Sequence, residues 1–369
     1  QARQAYNDNL ALLGRGLDPI EHRQDEKQKE IAERKNTLSF FIDEWQINQI
    51  SKKLTQKTIE NNGRNIKVIA SQFGQTKVTD IKPSHVISFI KDIQKTHPAK
   101  GIEVKKVLKS ILQLAKANGV IEYNPASDLK GTLKTHKKTH YPAITTPAEY
   151  AKLLNDIDSL ADSPIFQKEI LQLLALTFAR IGDVCAMKWA DIDLNAKTWI
   201  FEPQKGKNRA DMVDSLIVPL APQTIAILEQ VHDITGGMEY VFYTGKRKNA
   251  PYADRQQINK ALNDPSMNKA KIGKDYCGRG YLEVHSPHGF RASAKTMLME
   301  RLGYSHLITE IQSGRSMPDA YGNTYNRMEA IKERVKMMNE WANYLDDIKA
   351  GKVDNILFVD FNKAKAINE

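Results

Sequence analysis

The sequence predicts a mainly α protein with a small β-sheet, an α+β chain built from two principal domains. Three observations carry that prediction. Apolar residues recur at helical spacing through residues 37–130 and again beyond residue 146. Only "TWIFEP" and "LIVPL" read as strands, being short apolar runs rich in β-branched and aromatic residues. The 369 residues, 41% of them hydrophobic, suffice for two domains with their own cores.

The elements follow in order. Residues 1–36 are polar, charged and helix-prone. Within them "LLGRGLDPIEHR", broken at Asp18-Pro19, reads as the end of a further domain leading into a connecting helix. The chain starts at Gln1 without a methionine, so an upstream segment is expected. From 37 to 130, four amphipathic helices make a compact bundle: "LSFFIDEWQIN", "TQKTIENNGRNIKVIASQF", "KPSHVISFIKDIQ" and "GIEVKKVLKSILQLAKANGV". Pro83 and Gly101 mark two of the starts, and Asn124-Pro125 closes the run. No acidic or nucleophilic cluster falls in this bundle, which favours a binding role. Residues 131–145 are a basic linker. In 146–347, Thr146 caps a helix with Pro147 at its first position, and "SPIFQKEILQLLALTFAR" is a buried helix. The two strands are joined by the polar "QKGKNRADMVDS". Helices follow at "PQTIAILEQVHDI", "HGFRASAKTMLMERL" and "MEAIKERVKMMNEWANYL". Residues 348–369 form a tail whose "NILFVDF" is a strand-like or docking segment.

Composition narrows the class. Lysine and arginine number 54 against 44 acidic residues, a formal charge of +10, which favours a polyanionic partner. Cys185 and Cys277 make no disulfide framework, so a reducing cytoplasm is expected. No apolar run has the length of a membrane span and no signal-peptide pattern opens the chain. His136 and His140 have the spacing of a zinc pair, but Lys134, Lys137 and Lys138 would repel a cation and no Cys or carboxylate lies nearby. This strip reads as a strap across a phosphate backbone or as a solvated linker. There is no phosphate-binding GxxxxGK[ST] loop and no convincing metal cluster, so no cofactor and no metal are expected.

Three motifs carry chemistry. Arg180 ends the apolar "LLALTFAR", where an unpaired charge is costly, and Asp183 or Asp191 could pair with it. His288 and Arg291 open a helix in "HGFR". Tyr325 stands in "NTYNRMEAIKERVKMMNEWANYL". In this order and spacing, with "MKWADID" after Arg180, they resemble the signatures of the tyrosine recombinases, the phage-integrase family, especially its prophage and genomic-island branch. The resemblance covers most of residues 146–347 and implies a tyrosine-recombinase catalytic domain. The bundle resembles the family's core-binding domain, and "GLDPIEHR" the end of an arm-binding region.

What the resemblance implies is site-specific DNA cleavage and rejoining through a 3'-phosphotyrosyl bond, for integration or excision of a prophage or mobile island. The residue types suit that chemistry. Negative charge grows on the phosphate oxygens as phosphorus becomes five-coordinate, and cations fixed there beforehand favour the transition state. Guanidinium bonds two oxygens at once and stays charged, which fits Arg180 and Arg291. His288 can donate to the same phosphate or move protons. Tyr325 is the implied nucleophile; a phenol with a pKa near 10 is only about a thousandth ionised at pH 7, so neighbouring cations matter. The proton for the leaving 5'-oxygen comes in the family from a hairpin lysine. Lys207 matches by position from Trp199, with Lys205 the rival, and either lysine could instead touch backbone phosphates with Arg209.

One place departs from the pattern. Where the family carries a histidine or tryptophan about ten residues before the tyrosine, this chain has Arg315. Arginine can donate to a phosphate but cannot relay a proton as imidazole does. The expected partners are double-stranded DNA at attachment sites, a homo-tetramer during strand exchange with a monomer when free, and accessory DNA-bending or directionality factors. The expected compartment is the bacterial cytoplasm, on the nucleoid. Two alternatives stay open: a DNA-binding protein of the same fold with impaired catalysis, and a strand-cleaving enzyme like the type IB topoisomerases.

Overall fold

The computed structural model describes residues 14, 18–20, 36–51, 54, 56–129, 131–133, 141–203, 215–246, 250–264, 280–315 and 326–352. They belong to two compact units, 1–139 and 140–369.

In the first unit, α1 (Leu38–Ser51), α2 (Gln56–Phe73), α3 (Pro83–Thr96) and α4 (Pro98–Ala117) enclose one apolar core. Leu38, Ile69, Val86, Ile90, Leu108, Ile111 and Leu112 are fully buried there. The helix α4 packs against the other three, and Trp45 donates its indole N–H to Ser110 at 2.8 Å across the α1–α4 contact. Asn124 is buried and fixes the exit of the chain. Its amide donates to the Lys109 carbonyl at 2.8 Å, and its side-chain oxygen accepts from the Ala126 N–H at 2.9 Å. Gly101 departs from the reading of the sequence: Pro98 occupies the first turn of α4, and Gly101 lies inside the helix. A Cβ there would meet Gln94 Cγ at 2.5 Å and the Ile90 carbonyl at 3.4 Å, so this glycine lets α3 and α4 approach closely.

The second unit is organised around α6 (Gln167–Thr177), whose Ile170, Leu171, Leu173 and Leu174 are wholly buried. A helix apolar on most sides belongs in the middle of a core. Against α6 lie α5 (Pro147–Asp158), α7 (Ile181–Cys185), α8 (Pro222–Thr235), α9 (Arg255–Leu262), α10 (Gly289–Glu300) and α12 (Asn326–Lys349). The short α11 (His306–Gln312) packs between α10 and α12. Trp341 of α12 donates to the Ala175 carbonyl at 2.9 Å.

The sheet is antiparallel in the order β1 (Ile192–Asp193), β2 (Thr198–Phe201), β3 (Leu216–Pro219). Trp199 faces Val218, and Phe201 faces Leu216. All four are buried, while the Ile200–Ile217 pair lies on the outer face, as period-two alternation requires. The β2–β3 hairpin spans the stretch that carries Lys205, Lys207 and Arg209, which lie outside the described residues. Lys134, His136, Lys137, Lys138, His140, Cys277 and the tail motif "NILFVDF" lie outside them too.

Two further details differ from the sequence reading. Thr146 makes no cap to backbone; its hydroxyl donates to the Glu149 carboxylate at 2.7 Å. The apolar "LLALTFAR" is not one helix to its end. It stops at Thr177, and Phe178 turns left-handed with φ 39°, although wholly buried.

Two glycines test this packing. Gly101→Ala is expected to lower the stability of the first unit by about 1–3 kcal/mol through overpacking. Gly63→Ala, inside α2 with nothing within 4 Å of the added carbon, should raise it by about 0.5–1 kcal/mol. Urea unfolding midpoints of the two variants measure both.

Candidate active site

The turn at Phe178 and the turn at residues 313–315 come together around Arg291. In the first turn of α10, the Arg291 guanidinium donates from Nη1 to the Phe178 carbonyl at 2.8 Å and from Nη2 to the Ser313 carbonyl at 2.7 Å. Burial, with Arg180 and Arg315 nearby, draws its pKa down to about 10 against the opposing pull of Asp183. It is therefore charged at neutral pH.

Arg180 precedes α7 in extended backbone, at φ −73° and ψ 138°. Its Nη1 lies 3.9 Å from an oxygen of Asp183, whose side chain is buried. Of the two acids the sequence offered as partners, Asp183 and Asp191, Asp183 pairs with it, and the pairing coexists with closeness to Arg291. Gly314, at φ +74°, occupies backbone that favours glycine, and a Cβ there would lie 3.7 Å from Arg180 Nη1. The next residue, Arg315, contacts Glu310 through Nε at 3.0 Å. The structure thus gathers Arg180, Arg291 and Arg315 around one turn, from positions up to 135 residues apart.

His288 stands at the N-terminal boundary of α10, exposed, its ring edge-on to Tyr141 at a centroid distance of 4.9 Å. The segment entering the second unit is fastened beneath it. The Ser286 N–H donates to the Pro142 carbonyl at 3.1 Å, and the Ile144 N–H donates to His285 Nδ1 at 3.1 Å. The Ser293 hydroxyl donates to the Ile144 carbonyl at 2.5 Å. Gly289 is required here, since a Cβ would meet the Pro142 carbonyl oxygen at 2.5 Å. Burial pushes the pKa of His285 down to about 3, so its imidazole is neutral and Nδ1 is free to accept.

Residues 144–312 match the phage integrase family, and residues 40–132 match the phage integrase central domain. The chain belongs to the phage integrase family. It is 24% identical to the integrase of Enterobacteria phage P4, across 100% of this chain and 82% of that protein. It is 22% identical to prophage integrase IntA of Escherichia coli (strain K12), across 99% and 83%. Among solved structures, a lambda integrase dimer bound to a COC' core site superposes with a TM-score of 0.57 at 19% identity, over 97% of this chain and 89% of that one. A lambda integrase tetramer bound to a Holliday junction gives 0.58 at 18% identity, over 88% and 89%. The family assignment makes the chain a tyrosine-type site-specific recombinase that breaks and rejoins DNA.

In this recombinase the residues singled out from sequence are placed as follows. Arg180, Arg291 and Arg315 converge, and His288 borders the helix that carries Arg291. Tyr325 lies outside the described residues, one position before α12 begins.

Sequence reasoning missed Lys295, Glu310 and Arg334. Lys295 is four residues beyond Arg291 on α10, a spacing that puts both on one helical face, and that signal was available. Burial, together with Arg315 and Arg291, lowers its pKa to about 8. Arg334 of α12 is buried, donates from Nε to Gln312 at 2.8 Å, and also bonds the Ile217 carbonyl of β3.

His285 yields a pH prediction. Its folded pKa, near 3, lies below the unfolded value of 6.5. As pH falls from 6.5, the unfolded chain takes up a proton that the folded chain refuses, and stability is lost. A His285→Gln variant can still accept from Ile144 without titrating. The stability gap between it and the wild type should narrow as pH falls below 6.5, as read from urea midpoints across that range.

Proposed function

We propose that the arginine cluster binds the scissile phosphate of duplex DNA and that Tyr325 attacks its phosphorus. The observation that supports this reading is the convergence of Arg180, Arg291 and Arg315. Arg291 is held there by two neutral carbonyl oxygens and so keeps its charge available to an anion. Among the described residues the cluster counts four cations with Lys295, against two carboxylates, Asp183 and Glu310. The excess of two positive charges suits a phosphate that gains negative charge as it becomes five-coordinate.

The steps assign one role to each group. The Tyr325 oxygen forms a bond to phosphorus as the bond to the 5'-oxygen breaks, leaving a 3'-phosphotyrosyl end. His288 takes up the phenol proton or donates to a phosphate oxygen, and Lys207, or its neighbour Lys205, protonates the departing 5'-oxygen. Attack by another strand's 5'-hydroxyl reverses the chemistry, so bond energy is conserved. Arg315 stands in for the family's imidazole as a phosphate donor only. Lys134, Lys137, Lys138 and Arg209 contact the DNA backbone, whose charge favours such partners without reading sequence. The chain acts as a homo-tetramer on paired attachment sites and is a monomer when free, with accessory DNA-bending or directionality factors as further partners, at the nucleoid.

The deciding experiment is covalent capture on a nicked suicide duplex. Wild type should form an adduct that Tyr325→Phe cannot form while still binding the duplex. Arg180→Ala and Arg291→Ala should each slow adduct formation about 10²- to 10³-fold, the loss typical of removing one charge-stabilising donor. Binding without any adduct would point instead to a DNA-binding protein that does not cleave. Cleavage without exchange between two labelled duplexes would point to topoisomerase-like action.

A further inference from the structure

A second feature of the cluster concerns Glu310. It lies in the second turn of α11, and its side chain is 2% exposed, yet it meets two cations, Lys295 of α10 and Arg315 from beyond the helix end, as well as the His306 imidazole of its own helix. Arg315 reaches it through Nε at 3.0 Å, His306 through Nε2 at 3.4 Å, and Lys295 of α10 contacts it directly. A buried carboxylate is costly unless paired in this way, so the arrangement needs an explanation beyond surface charge.

We propose that Glu310 is a positioning residue that fixes Arg315 as a phosphate ligand in place of the family's imidazole. The inference rests on the phosphate-binding reading above. Its logic is geometric. Histidine is short and has few rotatable bonds, whereas an arginine at the same position must be held to present its donors in one place. A carboxylate paired with the Nε side by charge, at 3.0 Å, leaves the paired Nη edge, the edge that matches two phosphate oxygens. Gripping from the Nη side would spend that edge instead. The anchor is rigid: Glu310 belongs to α11, and the chain between it and Arg315 is closed by the Arg315 N–H donating to the Glu310 carbonyl at 3.2 Å. Lys295 joins the same carboxylate to α10, the helix of Arg291. One acid thereby sets the spacing between two of the three arginines.

The test measures adduct formation by the full chain on a nicked suicide duplex built on the core sequence it selects from a random duplex library. Wild type, Glu310→Gln, Arg315→Ala and the double variant are compared. Glu310→Gln should slow adduct formation about 10- to 100-fold and cause no further loss once Arg315 is alanine. An equal loss in both backgrounds means that Glu310 acts through packing or Lys295, and it overturns the proposal, as does an unchanged rate in the wild-type background. Glu310→Asp covers the case in which the glutamine variant does not fold. It keeps the charge but withdraws the carboxylate by one methylene, so it should slow the wild type and leave the Arg315→Ala background unchanged; a wild-type rate overturns the proposal. A wild-type chain that binds the duplex and forms no adduct defeats the phosphate-binding reading, and this inference with it.

Discussion

The seat of Arg291 is the interaction on which the second unit depends. Two carbonyls, one from the turn after α6 and one from the turn after α11, receive the two ends of a single guanidinium. Carbonyl oxygens at the ends of helices need partners when buried, and a charged donor is a strong one. The same contact that satisfies them also draws three chain segments to one point. Because the acceptors are neutral, these two hydrogen bonds leave the charge of the guanidinium uncancelled.

Around that point the acids are few and deliberately placed. Asp183 stands by Arg180, and Glu310 stands by Arg315 and Lys295. Packing several guanidinium groups together without any carboxylate would be prohibitive, because like charges repel strongly where water is scarce. Full neutralisation would leave nothing for an incoming anion. The observed balance lies between those limits. Arg334 joins α12 to α11 and to β3, and so ties the last helix to the scaffold that holds the arginines.

Much of this was legible in the linear order of residues. Helical periodicity located the bundle, and the Pro83 start stands where the spacing placed it. The alternation in "TWIF" and "LIVP" located β2 and β3, because inward and outward positions differ in polarity. Arg180, His288 and Arg291 stood out because their order and spacing resemble the family's motifs; singly, an arginine or a His-x-x-Arg is a weak signal. Gly101 was misread as a helix start because a glycine punctuates a sequence in the same way whether it ends a helix or permits a close crossing. The break at Phe178 was invisible, since a phenylalanine in left-handed backbone is held by tertiary packing and not by local preference. Nothing in the linear sequence singled out Glu310. Only the arrival of Lys295 from α10 and the bend that returns Arg315, beside His306 one turn back on the same helix, make it a buried hub.

The acceptors that hold Arg291 belong to the main chain at Phe178 and Ser313, and this has a consequence for how the fold tolerates change. Every amino acid carries the same carbonyl, so drift in the side chains at those two places cannot delete the cradle. What would delete it is a rerouting of the polypeptide, such as a residue inserted at either bend. The Arg291 cation is thus guarded by contour instead of by composition, and relatives with little sequence in common can preserve it as long as the two bends survive.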